Sequence, residues 1–241
     1  MMAAIAAAFV AGLVRGFSGF GGALIFMPAA SALVGPKIAA VTFLVVDDIL
    51  TLPMAIRSIR LWRWRTVLPT AAAAMATAPL GAFFLAHADT LVLRWAICGV
   101  VVVLLGLVAS GIRYHREPHL GASLAVGAVS GTLGGIGQVS GPPVIAFWVA
   151  GPHPNDVIRA NMFTYFALIS CASFAAYFLY GLFTAEAIRS IVVIAPVYAV
   201  ALFAGSCLFG GSASTAYRPL AYAVIALAAV TSMPVFDGLI R

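Results

Sequence analysis

Residues 16–22 of the chain read GFSGFGG, and a proline, Pro28, follows shortly after them. Residues 131–143 restate the pattern as GTLGGIGQVSGPP. In one register the matching positions are Gly16 with Gly131, Gly19 with Gly134, Gly22 with Gly137, and Pro28 with Pro143. Glycine and proline both weaken the interior of a helix, so this coincidence predicts two equivalent helix breaks. The residues assigned to these breaks are Gly16, Pro28, Gly131, Pro142 and Pro143.

Both glycine passages lie inside long apolar segments. Of the 241 residues, 63% are hydrophobic and only 8% are charged, and the mean hydropathy is +1.11. Soluble domains are about a quarter charged. Apolar runs of about 18 residues or more recur along the chain, and each is long enough to cross a hydrocarbon core ~30 Å thick. The composition therefore predicts an all-α polytopic membrane protein.

The apolar segments fall into two similar halves, each with one glycine-broken segment followed by three plain spans. A continuous helix over residues 2–34 would be ~50 Å long, far more than one crossing needs, so two half-helices meeting at the glycines fit better. Asp89 is predicted to be the N-cap of the span at 91–110. The first half is assigned to residues 1–112 and the second to residues 120–241, within one membrane domain. The predicted segments are 2–34, 38–56, 66–86 and 91–110, then 120–150, 157–180, 187–208 and 217–235.

The loop at residues 57–65 carries four arginines with Trp62 and Trp64 between them. This pattern is typical of a cytoplasmic loop with an interfacial aromatic anchor, and it argues against nucleic-acid binding as the source of the +6 net charge. The polar loop at 113–119 then also lies on the cytoplasmic side.

The relative orientation of the halves depends on how the broken segments are drawn. If each crosses the membrane once, the halves are parallel; if each is a re-entrant hairpin, they are inverted. The positive-inside count is tied, because Arg189 and Arg241 favour one arrangement while Arg159 and Arg218 favour the other. Inverted repeats commonly build binding sites at the midplane, and together with the segment length this favours the inverted form.

Helix breaks expose backbone N–H and C=O groups, which are tolerated in a membrane only when packed in protein or lining a polar cavity. Half-helices beginning near Gly22 and Gln138 would point their N-termini at the breaks, each with about half a positive charge. Two such ends would roughly balance one anionic group. The alternative is that the glycines allow close helix packing, as in the small-residue pattern of Gly127, Gly131 and Gly135.

Three charged residues lie near the first break. A charge at the bilayer centre costs ~2.5–3.5 kcal/mol on insertion scales, so Arg15 is expected to pair with the anion or with Asp47 or Asp48, or to lie nearer the interface. The two acids point about 100° apart on a helix, so at most one should face a given cavity squarely. They are the proton-coupling candidates, because a buried carboxylate can hold a proton near neutral pH; a buried ion pair with Arg15 is the alternative. The position equivalent to Arg15 in the second half is Ser130.

Polar and glycine residues near the breaks complete the predicted anion site, since hydroxyl, amide and backbone groups suit an oxyanion. The predicted substrate-binding set is Arg15, Ser18, Gly19, Gly21, Gly22, Thr42, Gly134, Gly137, Gln138, Ser140 and Asn161.

Other chemical classes find little support in the sequence. The histidines have no ligand partners at metal spacing, and Cys98, Cys171 and Cys207 lie in apolar spans, so neither a metal site nor a disulfide framework is predicted. No cofactor is expected, because GTLGGIG is not a G-x-G-x-x-G motif and no strand precedes it. No nucleophile and base occur at catalytic spacing, so an intramembrane enzyme is not expected.

The passage GFSGFGGALIFMP and its partner GTLGGIGQVSGPP, each beginning a four-segment half, resemble the sulfite exporter TauE/SafE family. The resemblance implies a bacterial inner-membrane transporter of sulfite, sulfoacetate or related organosulfonates. Phe20 interrupts a glycine run that is often denser in the family, and the adjacent Asp47 and Asp48 depart from the general pattern. The leading hypothesis is a proton-coupled secondary transporter, and the competing one is a passive anion channel or uniporter. The expected partners are the anion and membrane lipid; a homodimer is left open.

Overall fold

The computed structural model of the chain describes residues 2–18, 21–109, 119–149 and 154–208. The predicted span at 217–235 and most of the polar loop at 113–119 lie outside these residues. All regular secondary structure in the described ranges is helical. The helices are α1 (Met2–Ser18), α2 (Gly22–Val34), α3 (Pro36–Ser58), α4 (Trp64–His87), α5 (Thr90–Ala109), α6 (Leu120–Gly137), α7 (Gly141–Val149), α8 (Asn155–Leu179) and α9 (Ala185–Leu208).

Five of the described helices, α3, α4, α6, α8 and α9, are long and apolar enough to cross a membrane. Shorter apolar helices occur within α1, α2 and α5. The observed helices match the predicted spans to within a few residues at their ends. The polytopic all-α architecture expected from composition is therefore present in the described part of the chain.

Both long apolar segments are broken, as the glycine pattern predicted. The first break follows Ser18 and ends at Gly21, whose φ of 87° is readily adopted only by glycine. The second break begins at Gln138, which has a φ of 57° and is the positive-φ non-glycine residue of the described chain. α7 then begins at Gly141, so the second half-helix starts three residues later than the predicted position near Gln138.

All five residues assigned to the breaks lie within helices. Gly16 is inside α1 and Gly131 is inside α6, so neither interrupts its helix. Pro28 is inside α2, after the break, while Pro142 and Pro143 occupy the first turn of α7. Proline is tolerated in a first turn because the N–H groups there have no intrahelical acceptor.

The glycines inside α6 permit close packing against α4. Successive glycines four residues apart lie on one face of the helix. A Cβ atom at any of them would overlap a backbone carbonyl oxygen of α4; the pairs are Gly127 with Thr70, Gly131 with Ala74, and Gly135 with Ala78. The small-residue packing considered for these three glycines is therefore confirmed.

α1 packs against α9 in the same manner. A Cβ atom at Gly16 would overlap the carbonyl oxygen of Leu202, and one at Gly12 would lie 2.8 Å from the carbonyl oxygen of Tyr198. In both helix pairs the contacting residue numbers rise together, so α1 is parallel to α9 and α4 is parallel to α6.

α3 and α8 cross the molecule side by side in opposite directions. Ser170, in the second half of α8, donates a hydrogen bond to Asp48 at the middle of α3. The C-terminal end of α3, from Met54 to Ser58, meets the N-terminal part of α8, from Asp156 to Phe163, around one hollow. The contacting residue numbers run in opposite senses, so the two helices are antiparallel.

Two side-chain hydrogen bonds lie at the ends of α3, α4 and α5. The Leu91 N–H donates to Asp89 Oδ1 at 2.8 Å, which confirms Asp89 as the N-cap of α5. Lys37 Nζ, in the first turn of α3, donates to the carbonyl oxygen of Ala86 near the end of α4 at 2.7 Å. The beginning of α3 and the end of α4 therefore lie on the same side of the molecule.

Replacing Gly131 with alanine should lower the free energy of unfolding by about 1–3 kcal/mol, the usual penalty for overpacking. The new methyl group would overlap the Ala74 carbonyl oxygen and the Thr77 side chain, so two helix backbones would have to move apart. Thermal unfolding in detergent, followed by tryptophan fluorescence, measures the change.

Gly99→Ala in α5 is the matched control, since no atom lies within 4 Å of a Cβ at that position. Alanine there should stabilise the protein by up to about 1 kcal/mol through helix propensity. A Gly131→Ala protein as stable as the wild type would contradict close packing between α4 and α6.

Candidate functional site

A cavity of about 40 Å³ lies where α2 and α7 begin. Its walls are the chain around the two helix starts, at residues 21–24 and 138–142, together with the middle of α3 and the middle of α8. The volume is far below the ~300–1,000 Å³ of pockets for drug-sized ligands. The cavity therefore suits water or a small ion.

The N-termini of α2 and α7 converge on this cavity. The first N–H groups of a helix have no intrahelical partner, so the residues from Gly22 to Leu24 present donors on the α2 side. The α7 side presents fewer, because Pro142 and Pro143 have no N–H. Each helix start also carries about half a positive charge, so the cavity is electropositive from both directions.

Arg15 forms a buried ion pair with Asp47 at the wall of the cavity. Its Nε donates to Asp47 Oδ1 at 3.0 Å and its Nη2 donates to Oδ2 at 2.7 Å. Tyr198 adds a third hydrogen bond, from its hydroxyl group to Asp47 Oδ1 at 2.6 Å. Arg15 and Asp47 are 4% and 5% exposed, respectively. Of the pairings that the sequence left open for Arg15, the structure shows the one with Asp47.

Two aromatic rings pack against the same guanidinium group. Arg15 Cζ lies 4.7 Å from the ring centroid of Phe166 and 5.7 Å from that of Phe163, both on α8. Cation–π contacts of this kind strengthen when water is excluded. The arginine is thus held between the Asp47 carboxylate on α3 and an aromatic surface on α8.

Asp48 is bound less completely than Asp47. Ser170 Oγ donates to Asp48 Oδ1 at 2.6 Å, whereas Asp48 Oδ2 is buried without a hydrogen-bond partner among the described residues. Both acids line the cavity, although their spacing predicted that at most one would face it squarely. They differ in environment, because Asp47 is neutralised by Arg15, whereas Asp48 is held among the described residues by one hydroxyl group.

Two tyrosines of α8 secure the second break. Tyr177 donates to the carbonyl oxygen of Gly135 at 2.8 Å and accepts a hydrogen bond from Gln138 Nε2 at 3.1 Å. Tyr165 donates to Ser130 Oγ at 2.8 Å, and Ser130 donates to the carbonyl oxygen of Ser140. The bond to Gly135 satisfies a carbonyl group that the end of α6 leaves without a helical partner, and the bond to Ser140 fixes the residue that directly precedes α7.

The model of the sulfite exporter TauE/SafE family matches residues 4–232, nearly the whole chain. The chain belongs to this family. No curated protein and no solved structure matches it. TauE/SafE proteins are membrane transporters of sulfur-containing anions and not enzymes. Together with the five apolar helices, this makes the chain a multi-pass membrane transporter.

The structure gathers part of the predicted site of this TauE/SafE protein around the cavity. The predicted residues that line it are Arg15, Gly21, Gly22, Asp47, Asp48, Gln138, Ser140 and Pro142. Gly19 lies outside the described residues, as does the side chain of Ser18.

Four residues predicted to bind substrate do not line the cavity. Asn161 Oδ1 accepts a hydrogen bond from the Arg63 N–H at 2.7 Å, so it ties α8 to the basic loop. Thr42 is fully buried away from the cavity wall. Gly134 and Gly137 are packing positions, where a Cβ atom would lie 3.0 Å from Ser140 Cβ and 3.1 Å from Ile97 Cγ1, respectively.

Four residues whose side chains contact Arg15, Asp47 or Asp48 in this TauE/SafE protein were not predicted: Ser170, Phe163, Phe166 and Tyr198. A tyrosine in the middle of an apolar helix needs a partner for its hydroxyl group, and this signal could have identified Tyr198. The serine and the phenylalanines carry no such signal, because both residue types are common in membrane helices.

Arg15→Ala and Asp47→Ala should each lower the free energy of unfolding by about 3–5 kcal/mol, because each leaves one buried charge without a partner. The double variant should lose less than the sum, since no unpaired charge remains. Thermal unfolding of the four proteins in detergent measures the coupling. Arg60→Ala, in the exposed part of the basic loop, is the control and should change stability by less than about 0.5 kcal/mol. Additive effects of the two single variants would contradict the ion pair.

Proposed function

We propose that this TauE/SafE transporter carries a small sulfur oxyanion or organosulfonate across the bacterial inner membrane together with a proton. The anion binds between the two helix breaks. One observation carries the proposal: the starts of α2 and α7, Arg15 and Asp48 all line one cavity at the middle of α3 and α8. The small volume of the cavity favours a compact anion.

Helix directions support two inverted repeats, residues 1–112 and 120–241. α3 and α8 follow the first and second breaks, respectively, and they are antiparallel neighbours. α8 therefore ends on the side where α3 begins, and α9 starts there. α1 is parallel to α9, so α1 also starts on that side, and α2 returns to it before α3. α4 starts on the opposite side, where α3 ends, and α6 is parallel to α4. α6 therefore also starts on the opposite side, and α7 returns to it before α8. These directions support one re-entrant hairpin entering from each face of the membrane.

The exposed basic loop supports the orientation of these repeats. Arg60 and Arg63 are exposed, and Arg65 Cζ lies 5.3 Å from the ring centroid of Trp64, as expected for an interfacial anchor. By the positive-inside rule this loop faces the cytoplasm. The α1–α2 hairpin then enters from the periplasm and the α6–α7 hairpin from the cytoplasm.

A count of charges supports coupling to one proton. The Arg15–Asp47 pair is internally neutral, and the two helix starts contribute about one positive charge in total. An ionised Asp48 cancels that charge, whereas a protonated Asp48 leaves it for an anion. The anion and the proton are therefore expected to bind together and to move in the same direction. Of the two proton-coupling candidates, Asp48 takes the role, because Asp47 is held by Arg15 and Tyr198.

Transport is tested in proteoliposomes with sulfite, sulfoacetate, taurine and sulfate, each with and without a proton gradient. At least one sulfur anion should accumulate when the proton gradient points inward, and protein-free liposomes are the control. Flux that follows only the gradient of the anion itself would assign the protein to the channel or uniporter class. If none of the anions shows saturable flux, the substrate assignment is wrong.

Asp48→Asn should abolish the pH dependence of anion binding, because the amide permanently resembles the protonated acid. In the wild type, affinity should rise as the pH falls, by at most about tenfold per pH unit for one linked proton. The assay is binding of methanesulfonate, whose single charge does not change over the pH range. Asp89→Asn, at an exposed N-cap where asparagine is also favourable, is the control and should keep the wild-type profile. A sloping profile in Asp48→Asn would exclude this role.

A further inference from the structure

A second hollow, which we call the vestibule, lies between the end of α3 and the start of α8. Its volume is about 550 Å³, much larger than the central cavity, and the two share no lining residue. It lies at the end of the molecule that carries the basic loop. Nothing in the charge balance or chemistry of the central cavity requires it.

The vestibule carries the charge expected of a site for anions. Arg57 and Arg159 line it together with one acid, Asp156, so its formal charge is positive. Guanidinium groups bind sulfonates and other tetrahedral oxyanions through paired, charge-assisted hydrogen bonds. Met54, Leu61 and Phe163 supply apolar surface beside these charges, which suits the short carbon chain of an organosulfonate.

One aromatic ring connects the vestibule to the central cavity. Phe163 lines the vestibule and is 4% exposed. Arg159 Cζ lies 5.5 Å from its ring centroid, and Arg15 Cζ lies 5.7 Å from the same centroid. Arg159 belongs to the vestibule and Arg15 to the wall of the central cavity. The Phe163 ring is therefore in contact with a guanidinium group of each region.

We propose that the vestibule is an outer binding site for small oxyanions and that Phe163 is the gate between it and the central cavity. The cation–π contacts hold the ring in place while no anion is bound. An anion paired with Arg159 competes for that guanidinium group, frees one contact of the ring and can pass to Arg15. The identity of the anion rests on the proposed function, whereas the site and its gate rest on the geometry alone.

Cysteine accessibility tests the gate without any transport measurement. The reporter thiol is introduced by Ala23→Cys in the central cavity, in a background with Cys98→Ala, Cys171→Ala and Cys207→Ala. Inside-out membrane vesicles expose the basic-loop side to two membrane-impermeant methanethiosulfonates, one bearing a sulfonate and one a trimethylammonium group. The rate of thiol modification is measured for each reagent.

Phe163→Ala should raise both rates by about tenfold or more, as expected if the open state is a minor population in the wild type. Phe174→Ala is the matched control, because this ring lies on α8 but stacks on Phe183 instead, and it should leave both rates unchanged. If Phe163→Ala does not fold, Phe163→Leu, which removes the π face and keeps most of the volume, should raise both rates as well. Unchanged rates in a folded Phe163 variant would overturn the gate.

Arg159→Gln should lower the rate of the sulfonate reagent by roughly tenfold, the low end of electrostatic steering, without lowering that of the cationic reagent. Arg60→Gln removes the same charge from the exposed basic loop but not from the vestibule, and it should change both rates little. A loss that is equal for both reagents, or equal in Arg60→Gln, would overturn the anion site.

Two further comparisons distinguish a free anion from a lipid headgroup, and an error in the vestibule proposal from an error in the substrate assignment. Phosphatidylcholine proteoliposomes offer no anionic headgroup, so the Arg159 effect should persist in them if the ligand is a free anion. If it persists there but disappears when phosphatidylglycerol is added, the vestibule holds a lipid headgroup and the proposal is wrong. Thiol modification does not depend on net transport, so a protein that carries no sulfur anion can still confirm or overturn the vestibule and gate.

Discussion

The structure depends on satisfying the backbone groups that two interrupted helices leave inside a membrane protein. Lipid offers them no partner, so each group must meet protein, water or a ligand. At the second break, Tyr177 and Ser130 donate to the carbonyl oxygens of Gly135 and Ser140, respectively, and Tyr165 donates to the Ser130 hydroxyl group. Two acceptors of the second break are thus already bound, whereas the first N–H groups of α2 have no intrahelical acceptor. The proposed anion would accept hydrogen bonds from such N–H groups.

The charged side chains beside the cavity are also largely paired with partners inside the protein. Arg15 and Asp47 neutralise each other and are fixed by Tyr198 and two phenylalanines, so the pair supplies shape and rigidity but no net charge. In the proposed coupling the adjustable charge is that of the neighbouring acid, Asp48, which lines the cavity and has one oxygen without a hydrogen-bond partner among the described residues. Under the proposed coupling, a fixed pair beside one titratable group would let a single proton set the sign of the charge in the cavity. A free arginine at the same place would attract anions at every pH and release them slowly.

Much of the fold could be predicted from sequence because membrane spans follow from length and hydropathy, and both breaks carry a glycine pattern in duplicate. The sequence could not show which glycines lie at a break and which lie in a contact between helices. Gly16 and Gly131 carry the same local signal as Gly21, yet they serve contacts with helices distant in the chain. Arg15, Asp47, Asp48, Gln138 and Ser140 were identifiable because polar residues are rare in apolar spans. Asn161 is also a polar residue in an apolar span, but it binds the basic loop. A polar residue in such a span indicates that its side chain needs a partner, and the sequence does not show which partner it has.

The glycine contacts between α4 and α6, and between α1 and α9, each join helices from different halves of the chain. Backbones packed at this distance slide or separate only with the loss of many contacts at once. Each close pair should therefore move as one body during the transport cycle, and the boundary between moving parts should not follow the boundary between the sequence repeats. Under the proposed division of the chain, neither half is then expected to fold by itself, and separately expressed halves would need to be mixed before either acquires a native structure.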